Sequence, residues 1–181
     1  MKAYKGFNSN LDCTRGHGTF HYEVGKTYKE DSAKCASKGF HCVEQPLDVL
    51  SWYDGYGARY CEVEAGGDIN EDGDDRISCT EMTIVKEYTL EQIALLECLW
   101  LKDHPERKPS IHVKENFGQA YEGGIVVVRG RNPKAKGEIN SAIFLIKVDR
   151  YGEAVKIGGY VIDGKECLPG KVYNVLGRCV G

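Results

Sequence analysis

A chain of 181 residues fits one domain, or one domain with a small appended unit, and is long enough to bury a core without staples. Its hydrophobic share of 41% and charged share of 28% are those of an ordinary globular protein. A net charge of −3 argues against a nucleic-acid binder, and no apolar run approaches the roughly 18 residues of a membrane span.

The N-terminus MKAYKGF carries no apolar segment of the secretory kind, so a cytoplasmic location is expected. KAYKGF reads as a short strand ended by Gly6, and FHYEVGKTY at 20–28 as a second. Ala33–Ser37 is expected as a helical turn and Gly39–Val43 as a short strand. Pro46 suits the first turn of a helix in which Leu47, Leu50 and Tyr53 share a face and which Gly55 closes.

ARYCEVEA at 58–65 alternates strictly, and ISCTEMTIVKEY at 77–88 is a long strand candidate. TLEQIALLECLWLKD at 89–103 is a helix: Thr89 and Gln92 stand as in a capping box, and the pattern is apolar almost all round. Glu97 is odd there, and is read as a carboxylate reaching the helix edge or pairing with a lysine rather than a catalytic group. HPERKP at 104–109 reads as a linker. From Ile111 onward the pattern is strands and turns, with Asp163-Gly164 as a hairpin signal.

The fold expected is therefore α+β, a mixed sheet with two or three helices in the first ~105 residues, followed by a small all-β antiparallel meander. The domains expected are 1–103, a linker at 104–110 and a β-rich unit at 111–181.

The eight cysteines form no CxxC pair. Cys35 with His41 and Cys42 is the nearest approach to a zinc set, and buried, reduced thiols used as small hydrophobes are the reading adopted.

Between the two long strands lies GDINEDGDDRIS, residues 67–78. Asp68, Asn70 and Asp72, with Gly73 and Asp74, match the first half of a calcium loop. Position 12 is Cys79, which cannot supply two hard oxygens, and the flanks are strands rather than helices. An acidic hairpin turn explains every residue, and no metal or other cofactor is expected.

Glu62 and Glu64 share a strand face about 6.5–7 Å apart, a spacing open to acid–base work, though a solvated face is the plainer reading. Arg129, Arg131, Lys134 and Lys136 in RGRNPKAKG are candidates for phosphate or nucleic-acid contact, against a solvated loop as the default. A short strand with Lys5, a Gly-aromatic segment at 39–53 and the Glu62–Glu64 pair are also what an ADP-ribosyltransferase-like, NAD-using enzyme would present. The hydroxyl-bearing strand Ser78–Thr80 comes after the glutamates here instead of preceding them.

KAYKGF, FHYEVGKTY, KGFHCVEQPLDVLSWY and ARYCEVEAGGDI, read together with KAKGEINSAIFLIKVD and AVKIGGYVIDGKECLPGKVYNV, resemble an uncharacterised family found largely in bacteriophage and prophage genomes, a domain of unknown function. The resemblance spans most of 1–90 and 134–176. It implies a phage-related setting, no catalytic assignment, and a variable loop between Asp68 and Ile77. Similar proteins carry small-residue repeats suggestive of a β-solenoid between these parts, to which only Phe117–Gly137 could correspond here.

The function expected is a non-enzymatic binding or accessory protein acting on a host or phage protein, anti-defence included. The alternatives are the NAD-using enzyme and an oligomeric assembly protein. The partner expected is a protein, with self-association through the β tail as a further expectation and neither membrane nor nucleic acid.

Overall fold

A computed structural model describes residues 1–16, 18–71, 73 and 76–180. They form two compact units, Met1–Thr89 and Leu90–Gly181.

In the first unit the strands are β1 (Lys2–Phe7), β2 (Asp12–Cys13), β3 (Phe20–His21), β4 (Thr27–Lys29), β5 (Phe40–Val43), β6 (Arg59–Glu71) and β7 (Arg76–Tyr88). β6 and β7 pair as a long antiparallel hairpin from Tyr60↔Tyr88 to Glu71↔Ile77, with bulges at Glu62/Val63 and Gly66/Ile69. The other edge of β7 takes β5, then β4. β1 pairs β6 over its full length and meets β5 at Tyr4↔Val43. The order β7-β5-β1-β6-β7 thus closes a four-stranded ring, which leaves fewer bare edges than an open sheet would.

Alternation along these strands turns Ala3, Phe7, Val63, Ala65, Met82 and Ile84 into one core. Cys42, Cys61 and Cys79 lie in the same core as small apolar groups. Tyr22 sits among Phe7, Phe20, Tyr28 and Phe40, with ring centroids 4.7–6.1 Å away.

Pro46–Ser51 is a 3-10 helix with Pro46 at its start. It packs on β1 because Gly6 lacks a side chain: a Cβ there would stand 3.0 Å from the Tyr53 Cβ. Residues 35–37 form a turn closed by a Lys34↔Lys38 bridge, with Ala36 at φ 61, which is not a helical turn. The expected strand at 20–28 is broken into β3 and β4.

The second unit holds α1 (Leu90–Asp103), β8 (Val113–Ala120), β9 (Ile125–Gly137), β10 (Ala142–Val148), β11 (Ala154–Val161) and β12 (Tyr173–Asn174). α1 packs on β9, β10 and β11. It starts one residue after Thr89, as the capping pattern predicts. Glu97 is fully buried, well inside the helix-covered face rather than at its edge.

The strands after α1 do not form the expected antiparallel meander. β8 pairs β9 in parallel, and β9 pairs β10 in parallel, with partners fourteen residues apart at Val113↔Val127 and seventeen apart past the bulge at Glu115/Phe117, as in Gly118↔Ala135 and Ala142↔Ile125. The chain therefore coils in stacked turns, and only β10–β11 and β9–β12 run antiparallel. Asn116, at φ 61, makes one corner, and Gly130 lies where a Cβ would strike the Asn116 side chain. Asp163-Gly164 closes no hairpin. The Asp163 carboxylate instead accepts the N–H groups of Lys165, Glu166 and Cys167 at 2.8, 3.0 and 3.1 Å.

The α+β expectation is thus corrected to a mostly β fold: 48% strand, 11% helix, in several sheets, with two helices of which one is short. Among the described residues no helix is long and apolar enough to cross a membrane.

Candidate functional site

The ring of strands in the first unit is weakest at one seam. β1 and β5 meet in register at Tyr4↔Val43 and part beyond it. Where they part, a cleft of about 650 Å³ opens, lined by Lys5, Cys13, Arg15, His41, Trp52, Tyr53 and Arg76 among others.

Lys5 alternates onto the core face with Ala3 and Phe7, and is only 6% exposed. Its Nζ donates a 2.6 Å hydrogen bond to the His41 carbonyl and lies 5.6 Å from the ring centroids of Phe7 and Tyr22. Among the described residues Lys5 has no ion-pair partner. Its charge is met by the carbonyl dipole and the two ring faces alone.

Around it stand Cys13, on β2, and Tyr53, just past the 3-10 helix. The Tyr53 hydroxyl donates to the Cys13 sulfur at 3.4 Å and accepts the Thr14 N–H at 3.0 Å. Burial works against the Cys13 thiolate, but the Lys5 ammonium, the Tyr53 hydroxyl and Arg15 together hold its pKa below the ordinary value. The Tyr53 hydroxyl is pushed up by burial and by the hydrogen bond to Cys13.

Two guanidinium groups lie on aromatic faces at the rim. Arg15 is 5.5 Å from the Tyr53 centroid and Arg76 is 5.2 Å from that of Trp52. His41 accepts the Ala36 N–H at Nε2, 3.1 Å away, which puts the ring proton on Nδ1. Burial, then Lys5 and Arg76, keeps the His41 pKa below its usual value.

A family model for a domain of unknown function (DUF7666) matches residues 1–96. The chain belongs to this family. The DUF7666 match contains every residue of the cleft and all seven strands of the first unit. No curated protein and no solved structure matches the chain.

Of the residues singled out in the sequence, Lys5, His41 and Cys42 are in the lining of the cleft of the DUF7666 domain. Glu62 and Glu64 are not: they pair with Tyr4 and Lys2, so they lie on the face of the β1–β6 ladder opposite to Lys5. The Glu62 carboxylate accepts from Lys2 Nζ at 2.9 Å and from the Tyr88 hydroxyl at 3.0 Å.

Asp68 and Asn70 belong to β6, in the arm of the hairpin rather than its tip. The Asn70 side-chain oxygen accepts the Cys35 N–H at 2.8 Å, so it ties down the 35–37 turn. Asp72, Asp74 and Asp75 lie outside the described residues. Among the described residues no group of three His, Cys, Asp or Glu side chains is placed to hold a metal ion. The Cys35, His41 and Cys42 set is dispersed: Cys35 donates to the Asn70 carbonyl at 3.0 Å and Cys42 is in the core.

In the second unit RGRNPKAKG is a strand, not a loop. Arg129 donates to the Gly152 carbonyl at 2.6 Å and holds the turn before β11. Arg131 and Lys134 are exposed on β9, and Lys136 is half-buried.

Sequence reasoning misses Cys13, Arg15, Trp52 and Arg76 as parts of a site, and reaches His41 only as a zinc candidate. Cys13 reads locally as one more packing thiol, because its neighbours Lys5 and Tyr53 come from distant segments that no local spacing joins.

Proposed function

We propose that this protein is a phage-related, non-enzymatic binding protein, an accessory to a host or phage protein, and that the DUF7666 cleft is where it takes an anionic ligand group. The observation that carries this reading is Lys5. An ammonium 6% exposed, in the wall of an open cleft and without an ion-pair partner among the described residues, is offset when an anion arrives. Mouths of β-barrels are common ligand sites, and about 650 Å³ lies within the usual range for them.

The NAD-using alternative draws on Lys5 and the Glu62–Glu64 pair, which lie on opposite faces of one ladder, so the binding reading is the one adopted. The phage setting rests on the resemblance of the KAYKGF, FHYEVGKTY and KGFHCVEQPLDVLSWY segments, and with it go the bacterial cytoplasm and the anti-defence role.

A thermal-melt screen of the full chain against anions, nucleotides, NAD, calcium and a short oligonucleotide tests the reading. A ligand at 100 times its dissociation constant adds about 2.7 kcal/mol, enough to move the melt. Stabilisation by anions, reduced in Arg15→Gln, is expected. Stabilisation by NAD accompanied by its turnover would replace this reading with the enzymatic one.

A further inference from the structure

We infer that the ligand of the cleft is a nucleotide: a phosphate ester carried on a heteroaromatic ring. This rests on the reading of the cleft as a binding site and adds the chemistry of what enters it.

The charge of the lining argues for the phosphate. Among the described residues of the lining, Lys5, Arg15 and Lys38 stand against one carboxylate, Glu30. A carboxylate would be served by one cation, whereas a phosphate presents three oxygens and uses several. The plane of the Arg15 guanidinium is steadied by the Tyr53 ring, 5.5 Å away. A guanidinium held in this way keeps its fork of donors oriented, the arrangement that suits phosphate oxygens. Lys5 lies deeper, as a point charge whose Nζ has one hydrogen bond, to the His41 carbonyl, and two further protons to give.

The rest of the lining argues for the ring. Phe20, Tyr22, Phe40, Trp52 and Tyr53 all contribute to the cleft. Phe20 is 42% exposed although it packs against Tyr22 at 4.7 Å, so one aromatic face of this cluster meets solvent. An inorganic anion would leave that wall uncovered, and base–aromatic stacking covers it. A small barrel-mouth cavity of about 650 Å³ admits a mononucleotide, while an extended strand would have to run past it.

Isothermal titration of the full-length protein with adenosine 5′-monophosphate, adenosine, inorganic phosphate and an acidic aromatic peptide tests the inference. The monophosphate is expected to bind at least tenfold more tightly than adenosine or phosphate alone. Arg15→Gln, an exposed position, is expected to weaken it at least tenfold with an unchanged melting temperature, and Lys5→Met to weaken it as much. Equal binding of adenosine and its monophosphate would overturn the phosphate assignment, and equal binding of phosphate would overturn the ring. Peptide binding without nucleotide binding, sensitive to Arg15→Gln, would overturn the ligand class while sparing the cleft as the site. Binding of none of the four would overturn both.

Discussion

The Lys5 ammonium donates to the His41 carbonyl across 2.6 Å at the place where β1 and β5 cease to pair. A side-chain donor there takes over a strand carbonyl that the neighbouring strand's backbone no longer reaches. The ring of strands is thereby held together at its seam while remaining open to solvent, and the group that holds it is a cation. Closure and binding are consequences of one residue.

His41 makes the seam sensitive to pH. Its Nε2 accepts the Ala36 N–H, and burial, Lys5 and Arg76 depress its pKa below 6.5. The unfolded chain then binds more protons, so this contribution to stability is complete above about pH 6.5 and is lost as the pH falls below it. Melting temperature measured from pH 8 to 5 is expected to fall through that window, and His41→Gln to flatten the fall. An identical profile in the variant would contradict the assignment.

Cys13 is expected to alkylate with a pH midpoint below its ordinary 9.0, because Lys5, Tyr53 and Arg15 favour the thiolate against burial. Peptide mapping after iodoacetamide treatment tracks it separately from Cys35 and Cys179. Lys5→Met should move the midpoint up; no movement would mean that the ammonium does not act on the thiol.

Gly39 is where β5 begins beside β7. It has φ +83, and a Cβ would meet the Ser78 Oγ at 2.7 Å and the Cys79 carbonyl at 2.8 Å. Gly39→Ala is expected to cost about 2–3 kcal/mol, from the left-handed backbone and the displaced β5–β7 pairing together. Chemical denaturation gives the value, and a loss under about 0.5 kcal/mol would show that the strand shifts freely.

Much of this architecture is legible in residue patterns. The strict alternation of ARYCEVEA and the run ISCTEMTIVKEY place β6 and β7, and Thr89 with Gln92 places the start of α1. Pattern fails where partners are remote. Gly, Asn and Pro near 116–133 signal corners, but nothing local says whether the chain turns back on itself or coils with an offset of fourteen to seventeen residues. The cleft is hidden for the same reason: Lys5, Cys13, His41 and Tyr53 come from four segments, and only the closure of the ring joins them. A helical turn at 33–37 is what local composition suggests, yet Ala36 takes a left-handed conformation there.

Glu62→Gln is expected to be nearly silent. Its partners are Lys2, more than half exposed, and the Tyr88 hydroxyl, on the face away from the cleft. Stability should change by less than about 1 kcal/mol and ligand affinity not at all. A lost affinity would reconnect the two faces and revive the carboxylate pair as part of the site.

Whether the buried Lys5 ammonium is what the ligand meets can be read from Trp52, which lines the cleft, in a Trp100→Phe background that leaves it as the single indole. Its emission is recorded while adenosine 5′-monophosphate is added, with Lys5 intact and with Lys5→Met. A saturable change with Lys5 that disappears in Lys5→Met, with circular dichroism showing both proteins folded at the temperature of the titration, is the predicted result. An emission change of equal midpoint in both proteins would contradict the anion-binding role of the cleft, since Lys5 would then take no part in holding the ligand.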